Sequence, residues 1–298
     1  MIPGMGSSKT SDALDGGTPR SRERLESLLR VGEDFRLADV DPRSTPGFEG
    51  GKAEGRAALA AAVPALAGVQ ERLWAESRGG GTRSLLLVLQ GMDTSGKGGI
   101  MRHVVGAVDP QGVRHTAFKA PTDEERAHDF LWRIRKALPG PGEIGVFDRS
   151  HYEDVLIVRV HDLVPPDVWG ARYAQIDRFE EELVDAGTHV LKVMLHISKD
   201  EQRSRLLERL ERPDKYWKYN PGDVDERMRW ADYHEAYQAA LTRCSTPQAP
   251  WHVVPADRKW YARWAVQQLL LDALEEMDPQ WPPADFDVEH EKARLAAG

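Results

Sequence analysis

Cysteine is almost missing from this chain. Cys244 is the one thiol among 298 residues, so no intrachain disulfide and no cysteine metal cluster can form, which fits a reducing cytoplasm. Long apolar runs are missing too. No stretch reaches membrane-spanning length and the N-terminus lacks the apolar core of a signal peptide, so a soluble, intracellular protein is expected. Positive charge is in deficit, with 40 Lys and Arg against 48 Asp and Glu. The formal net charge of −8 argues against general nucleic-acid binding, and a polyanionic ligand would need a local basic channel. A hydrophobic content of 41% is enough to bury a sizeable core, so one large domain with small extensions is expected.

Three regions follow from the patterning. Residues 1–19, rich in Gly, Ser, Thr and Asp, read as a disordered leader. Residues 20–277 read as a single domain, opening with an Ala- and Leu-rich helical stretch at about 55–78. The acidic segment 278–298, with Trp281-Pro282-Pro283, reads as a peripheral tail. Within the domain, strands are predicted at 84–90, 112–118, 143–147, 189–196 and 251–254. Helices are predicted at 97–106, 122–137, 168–186, 199–211, 223–242 and 257–275. Such alternation is the signature of an α/β fold, a mostly parallel sheet with helices on both faces, whose ligands sit beyond the carboxyl ends of the strands.

The strand Leu85-Leu86-Leu87-Val88-Leu89-Gln90 runs into Gly91-Met92-Asp93-Thr94-Ser95-Gly96-Lys97-Gly98-Gly99. Gly91 and Gly96 bracket four residues, so successive backbone N–H groups can curl round an anion without a Cβ blocking its approach. Lys97 adds a mobile point charge, and a helix starting there would aim its positive end at the same phosphates. The match to the phosphate-loop pattern is complete through the lysine. It breaks at Gly98, where a Ser or Thr would ordinarily place a hydroxyl on magnesium. Asp93 offers a carboxylate inside the loop that could take over as metal ligand or act as proton acceptor.

The strand at 143–147 is followed by Asp148 and Arg149, a second carboxylate for magnesium and a planar fork for phosphate oxygens. After the strand at 112–118, Lys119 could hold a substrate phosphate and Thr122 could cap the next helix, from which Arg133 or Arg135, not both, could reach the site. The segment 203–219 carries six cations against three acids in an otherwise acidic chain. Pro213 stops a helix and Asn220-Pro221-Gly222 opens another, the build of a mobile lid at about 203–222 that closes on phosphates. Helical spacing places Arg205, Arg209 and Arg212 on one face of it.

These motifs together resemble the polyphosphate kinase 2 family. The resemblance rests on Gly91–Gly99, Phe118-Lys119-Ala120-Pro121, Phe147-Asp148-Arg149-Ser150, Pro213–Lys218, Ala249-Pro250-Trp251 and Pro255–Trp260, and it spans about residues 25–275. It implies a P-loop kinase-like three-layer fold with a helical lid. It also implies magnesium-dependent, reversible transfer of the terminal phosphoryl group of inorganic polyphosphate to a nucleotide. Asp93 and Asp148 become the metal-binding pair. Lys97, Arg149 and Arg209 become phosphate clamps, with Lys215 and Lys218 as further lid cations. Met92, Thr94, Ser95, Gly98 and Gly99 complete the phosphate-binding loop. His151-Tyr152-Glu153-Asp154 resembles the branch that accepts AMP as well as ADP, making Glu153 the candidate for acceptor selection. The expected partners are polyphosphate, adenine and also guanine nucleotides, and further copies of the chain in a dimer or tetramer, with no nucleic acid or membrane. An ATP-dependent nucleoside monophosphate kinase and a non-catalytic phosphate-binding module are the competing readings.

Overall fold

The computed structural model describes residues 25–298, so the leader expected at 1–19 lies outside the described residues. Strand β1 (Ser84–Gln90) is buried along its whole length. Its unbroken apolar run has that pattern because a central parallel strand is covered on both faces. It pairs with β3 (Ile144–Asp148) on one side and β4 (Thr188–His196) on the other. Outside these lie β2 (Val113–Ala117) and β5 (Trp251–Pro255), giving the order β2-β3-β1-β4-β5 with every pairing parallel.

Successive strand residues face opposite ways, and the leucine run of β1 therefore feeds two cores. Leu85, Leu87 and Leu89 share one core with residues of α1 (Leu25–Leu29), α3 (Val63–Arg78), α4 (Lys97–His103) and α12 (Lys259–Met277). Helix α2 (Lys52–Ala61) packs on α12. Leu86 and Val88 share the other core with Tyr152, with Ile176 and Phe179 of α8 (Pro166–Asp185) and with Tyr237 of α11 (Trp230–Arg243). The short helices α5 (Asp123–Arg126), α6 (Trp132–Ala137) and α7 (Ile157–Val160) connect elements around this second layer. Past the carboxyl end of β4, α9 (Lys199–Glu211) leads through a 3-10 turn at Pro213–Lys218 into α10 (Gly222–Met228). The fold is a three-layer, P-loop kinase-like α/β fold. Among the described residues no helix is long and apolar enough to cross a membrane.

Several departures of the helices from the periodic pattern coincide with a local group. The predicted helix 122–137 is two short ones, because the Asp129 carboxylate accepts from the Leu131 amide at 2.9 Å and turns the chain. The stretch 55–78 is broken at Ala62, since Pro64 in the first turn of α3 has no amide to bond back. The helix predicted over 223–242 breaks at Arg229, whose side chain donates to the Val160 carbonyl at 3.0 Å. That predicted over 97–106 gives way at Val104 to a 3-10 turn over Val105–Ala107. Within 278–298 the periodicity predicted no helix, yet α13 (Val288–Ala297) forms, capped by Asp287, which accepts from the His290 amide at 3.0 Å.

Candidate active site

The loop after β1 is shaped by two glycines for different reasons. Gly91 has φ +149, and a Cβ there would sit 2.7 Å from the Leu195 carbonyl oxygen. Gly96 has φ +123, and a Cβ there would meet only the Arg205 guanidinium at an ordinary 3.8 Å, so backbone conformation alone demands glycine there. Thr94 between them takes φ 63 without being glycine, a strained turn of the kind that collects at functional sites. The hydroxyls of Thr94 and Ser95 are buried with no hydrogen-bond partner among the described residues. Helix α4 begins at Lys97, leaving the Lys97 and Gly98 amides as first-turn donors. Lys97 Nζ donates to the Gly91 carbonyl at 2.7 Å, closing the loop on itself. Burial lowers the Lys97 pKa, and the neighbouring Arg149 charge adds to this, while Asp93, Asp148 and Glu153 oppose it.

What holds the loop from beneath is Arg205, and this corrects its reading as a lid cation. Arg205 is 5% exposed. All five of its N–H groups are used: one on Glu201 at 2.8 Å, two on the Thr94 and Ser95 carbonyls at 2.8 and 2.9 Å, and two on the Ala256 and Asp257 carbonyls at 2.6 and 3.0 Å. The guanidinium thus ties the phosphate loop to the end of β5. Gln202, one residue before the 203–219 cation cluster, donates to the Asp93 carbonyl at 3.2 Å from the same helix.

Asp148 ends β3 beside the loop, and Arg149 follows with φ 65. Its guanidinium reaches Asp93 Oδ1 at 3.0 Å. Burial works against the Arg149 charge, but Glu153 and Asp93 overcome it and hold its pKa above the ordinary value. This Asp–Arg pair separates two cavities and lines both. The first, of about 700 Å³, is lined by Asp93–Gly99 and Asp148 and is strongly basic, with Lys97, Arg149, Arg209, Lys215 and Lys218 on its walls. The second, of about 230 Å³, is lined by Gly91, Met92, Glu153, Asp223, Glu226, Tyr233 and Tyr237. Burial pushes the Glu153 carboxyl up, with Arg149 and Lys97 working against it. Asp223 is likewise pushed up, by burial first and then by Asp93.

The residues present suit a magnesium ion. Asp148 is partly buried at the cavity wall, and its carboxylate accepts no hydrogen bond among the described residues. Asp93 and Asp148 line the same cavity, and two carboxylates are the kind of donor set that takes magnesium with substrate phosphates and water completing its shell. Gly98 has nothing within 4 Å of a Cβ, so the lack of a hydroxyl there is not forced by space.

The cations of 203–219 are largely matched by acids. Arg209 donates to Asp223 at 3.1 Å and to the Lys218 carbonyl at 2.7 Å. Lys215 pairs with Glu208 and holds that carboxyl down to about 2. Arg212 points to Asp214 at 2.7 Å, away from the cavity, so the three arginines expected on one face part company. Lys218 lies over Trp217, 78% exposed at the cavity rim. Two predicted residues are not brought to either cavity. Lys119 and Arg133 line a separate depression of about 410 Å³ beside the edge strand β2, where Arg133 donates to the Lys119 carbonyl at 2.8 Å and pairs with Glu125 at 3.4 Å. Thr122 does cap α5, its hydroxyl accepting from the Glu125 amide at 3.2 Å.

Sequence reasoning missed Arg102, Lys259 and Arg263 on the basic wall, and Asp223, Tyr233 and Tyr237 in the second cavity. Only Lys259 sits in a local motif, Pro255–Trp260, and nothing in that motif's spacing says that its lysine faces the cavity. Arg102 and Arg263 come from helices α4 and α12, and only the packing of those helices brings them to one wall.

A glycine-bracketed loop at the end of a central parallel strand, faced by a carboxylate and an arginine from the adjacent strand, defines a P-loop kinase-like architecture. The model of the family described as Polyphosphate kinase 2 (PPK2) matches residues 50–282, and the chain belongs to that family. The AMP/ADP-polyphosphate phosphotransferase of Meiothermus ruber is 49% identical over 248 residues, covering 83% of this chain and 91% of that one. The ADP-polyphosphate phosphotransferase of Rhodopseudomonas palustris is 40% identical over 272 residues, covering 85% and 91%. The crystal structure of polyphosphate kinase 2 from Arthrobacter aurescens superposes with a TM-score of 0.91 at 58% identity, over 93% of this chain and 98% of that one.

Proposed function

We propose that this protein transfers the terminal phosphoryl group of inorganic polyphosphate to a nucleotide, ADP and also AMP, and catalyses the reverse. The observation that carries the reading is the pair of cavities meeting at Asp93 and Arg149. The larger, basic one suits a linear polyanion, and the smaller, partly acidic one suits a nucleotide acceptor. The relatives named above as AMP/ADP- and ADP-polyphosphate phosphotransferases support the same substrates.

In this reading the polyphosphate end lies along Lys97 and the loop amides, with Arg209, Lys215 and Lys218 as clamps on a lid formed by the 203–222 segment. The acceptor lies on the Glu153 side. Arg149 stands between them, so that donor, transferring phosphoryl and acceptor are in line. Little covalent chemistry is then asked of the protein, and positioning with charge neutralisation supplies most of the rate. Magnesium held by Asp93 and Asp148 would supply further neutralisation of the transferring group. His151, the one histidine inside a motif of the site, is fully buried against Glu180 and not exposed to either cavity, which supports direct transfer without a phosphohistidine.

The test is incubation with magnesium and long-chain polyphosphate, offering AMP, ADP and GDP separately without ATP, and resolving the products by chromatography. ADP and ATP formed from AMP are expected. ATP from ADP alone would restrict the acceptor, and product formed only when ATP replaces polyphosphate would overturn the donor assignment.

A further inference from the structure

The seven residues Asp148–Asp154 carry Asp148, Arg149 and Glu153, three of the groups that face the two cavities. Their backbone is not relaxed. Arg149 has φ 65, an uncommon conformation for a long side chain, and such strain persists only where the surroundings over-determine it. In front, the Arg149 amide donates to the Leu89 carbonyl at 3.1 Å, and Gln90 Nε2 donates to Ser150 Oγ at 3.1 Å. Behind lies a charged network that the proposed chemistry does not use. Glu180 on α8 accepts from the Tyr152 hydroxyl at 2.8 Å and from His151 Nε2 at 3.1 Å. Its other oxygen accepts from Lys192 on β4. The Lys192 ammonium spends its remaining two protons on Tyr152 Oη at 3.0 Å and on the Cys244 carbonyl.

Each of these four side chains is 1% exposed or less, and none lines a cavity. Burial pushes the Glu180 carboxyl up, but Lys192 and the His151 hydrogen bond outweigh it and keep it ionised. A buried ion pair is a poor way to gain stability, because well-packed apolar side chains of similar volume often serve as well or better. What this pair does that apolar residues could not is fix two polar atoms, on His151 and Tyr152, between Arg149 and Glu153 in the chain.

We infer that Glu180 and Lys192 are positioning residues for the acceptor side of the reaction, holding the 148–154 segment so that Arg149 and Glu153 keep their aim. The inference rests on the assignment of the second cavity to the acceptor. It is tested with Tyr152→Phe, which keeps the ring in the core and removes only the hydroxyl, with Glu180→Gln, and with the charge-neutral double variant Glu180→Gln/Lys192→Met. Glu153→Gln is measured alongside. For variants whose circular dichroism matches the parent, the KM for acceptor should rise about tenfold while the KM for polyphosphate stays near the parent value, since a small misplacement of a positioning group weakens its own substrate first. Unchanged acceptor KM in the folded Tyr152→Phe protein, or equal movement of both KM values, would overturn the inference and make the network a structural one. If Glu153→Gln alone raises the acceptor KM, the acceptor assignment stands and the positioning role fails. If Glu153→Gln leaves it unchanged, both fall.

Discussion

Arg205 and Arg209 lie one helical turn apart and do opposite things. The first is spent entirely on carbonyls and Glu201 beneath the phosphate loop, and the second reaches the cavity while paired with Asp223. In the proposed function the metal would be held by Asp93 and Asp148, which line one cavity from beyond the ends of different strands. Asp93→Asn and Asp148→Asn should each lower transfer by about 10³-fold or more, as losses of charge-neutralising groups in phosphoryl transfer do. The thermal midpoint should stay near the parent value, because both side chains lie at a cavity wall rather than in a core. Normal turnover in either variant would remove that residue from the metal pair.

The phosphate loop is an element whose shape is held from outside itself. Thr94 and Gly96, two of its three positive-φ residues, sit over Arg205, which reaches the loop from α9 and joins it to the end of β5. Arg205→Met should leave four carbonyls and Glu201 without their donor, costing roughly 2–4 kcal/mol of stability by the usual penalty for buried groups left unpaired. It should also raise the KM for polyphosphate, because the loop amides lose their common orientation. Thermal unfolding together with steady-state kinetics checks both. A stable variant with parental KM would show that the glycines alone shape the loop.

For the whole molecule, histidines with lowered pKa values should weaken the fold as the medium turns acid. Burial, then the neighbouring His234, lowers the His196 pKa to about 4, and burial also lowers His189 and His234. A histidine whose folded pKa lies below its unfolded value near 6.5 favours folding fully above pH 6.5, and that contribution is lost as pH falls toward 4. For His196 it is on the order of 3 kcal/mol. Asp154, pushed up to about 6 by burial, works in the other direction, its contribution present below the unfolded value and lost as pH rises through 6. Urea midpoints measured at pH 7, 5.5 and 4.5 should therefore fall less steeply in His196→Leu than in the parent. Equal slopes would assign the acid loss to other groups.

The order of strands and helices, the glycine-bracketed loop, and the placing of Asp148 and Arg149 at a strand end were legible in the sequence, because each rests on short-range spacing: a period of two, a period near 3.6, and glycine where the backbone must turn. The helix breaks at Ala62, Asp129 and Arg229 were not, since a single side-chain or proline effect overrides periodicity there. Nor were the fate of Arg205, the partner of Arg209, or the distance of Lys119 and Arg133 from the cavities, because helical spacing tells which residues share a face and not what that face meets. The sequence by itself determined that a phosphate loop opens an α/β sheet and which residue types stand at the strand ends. Only the tertiary structure decided which cations line the basic cavity, which are consumed by carbonyls or acids, and that a second cavity meets the first at Asp93 and Arg149. Those outcomes depend on elements far apart in the chain packing against one another, and no local pattern encodes that.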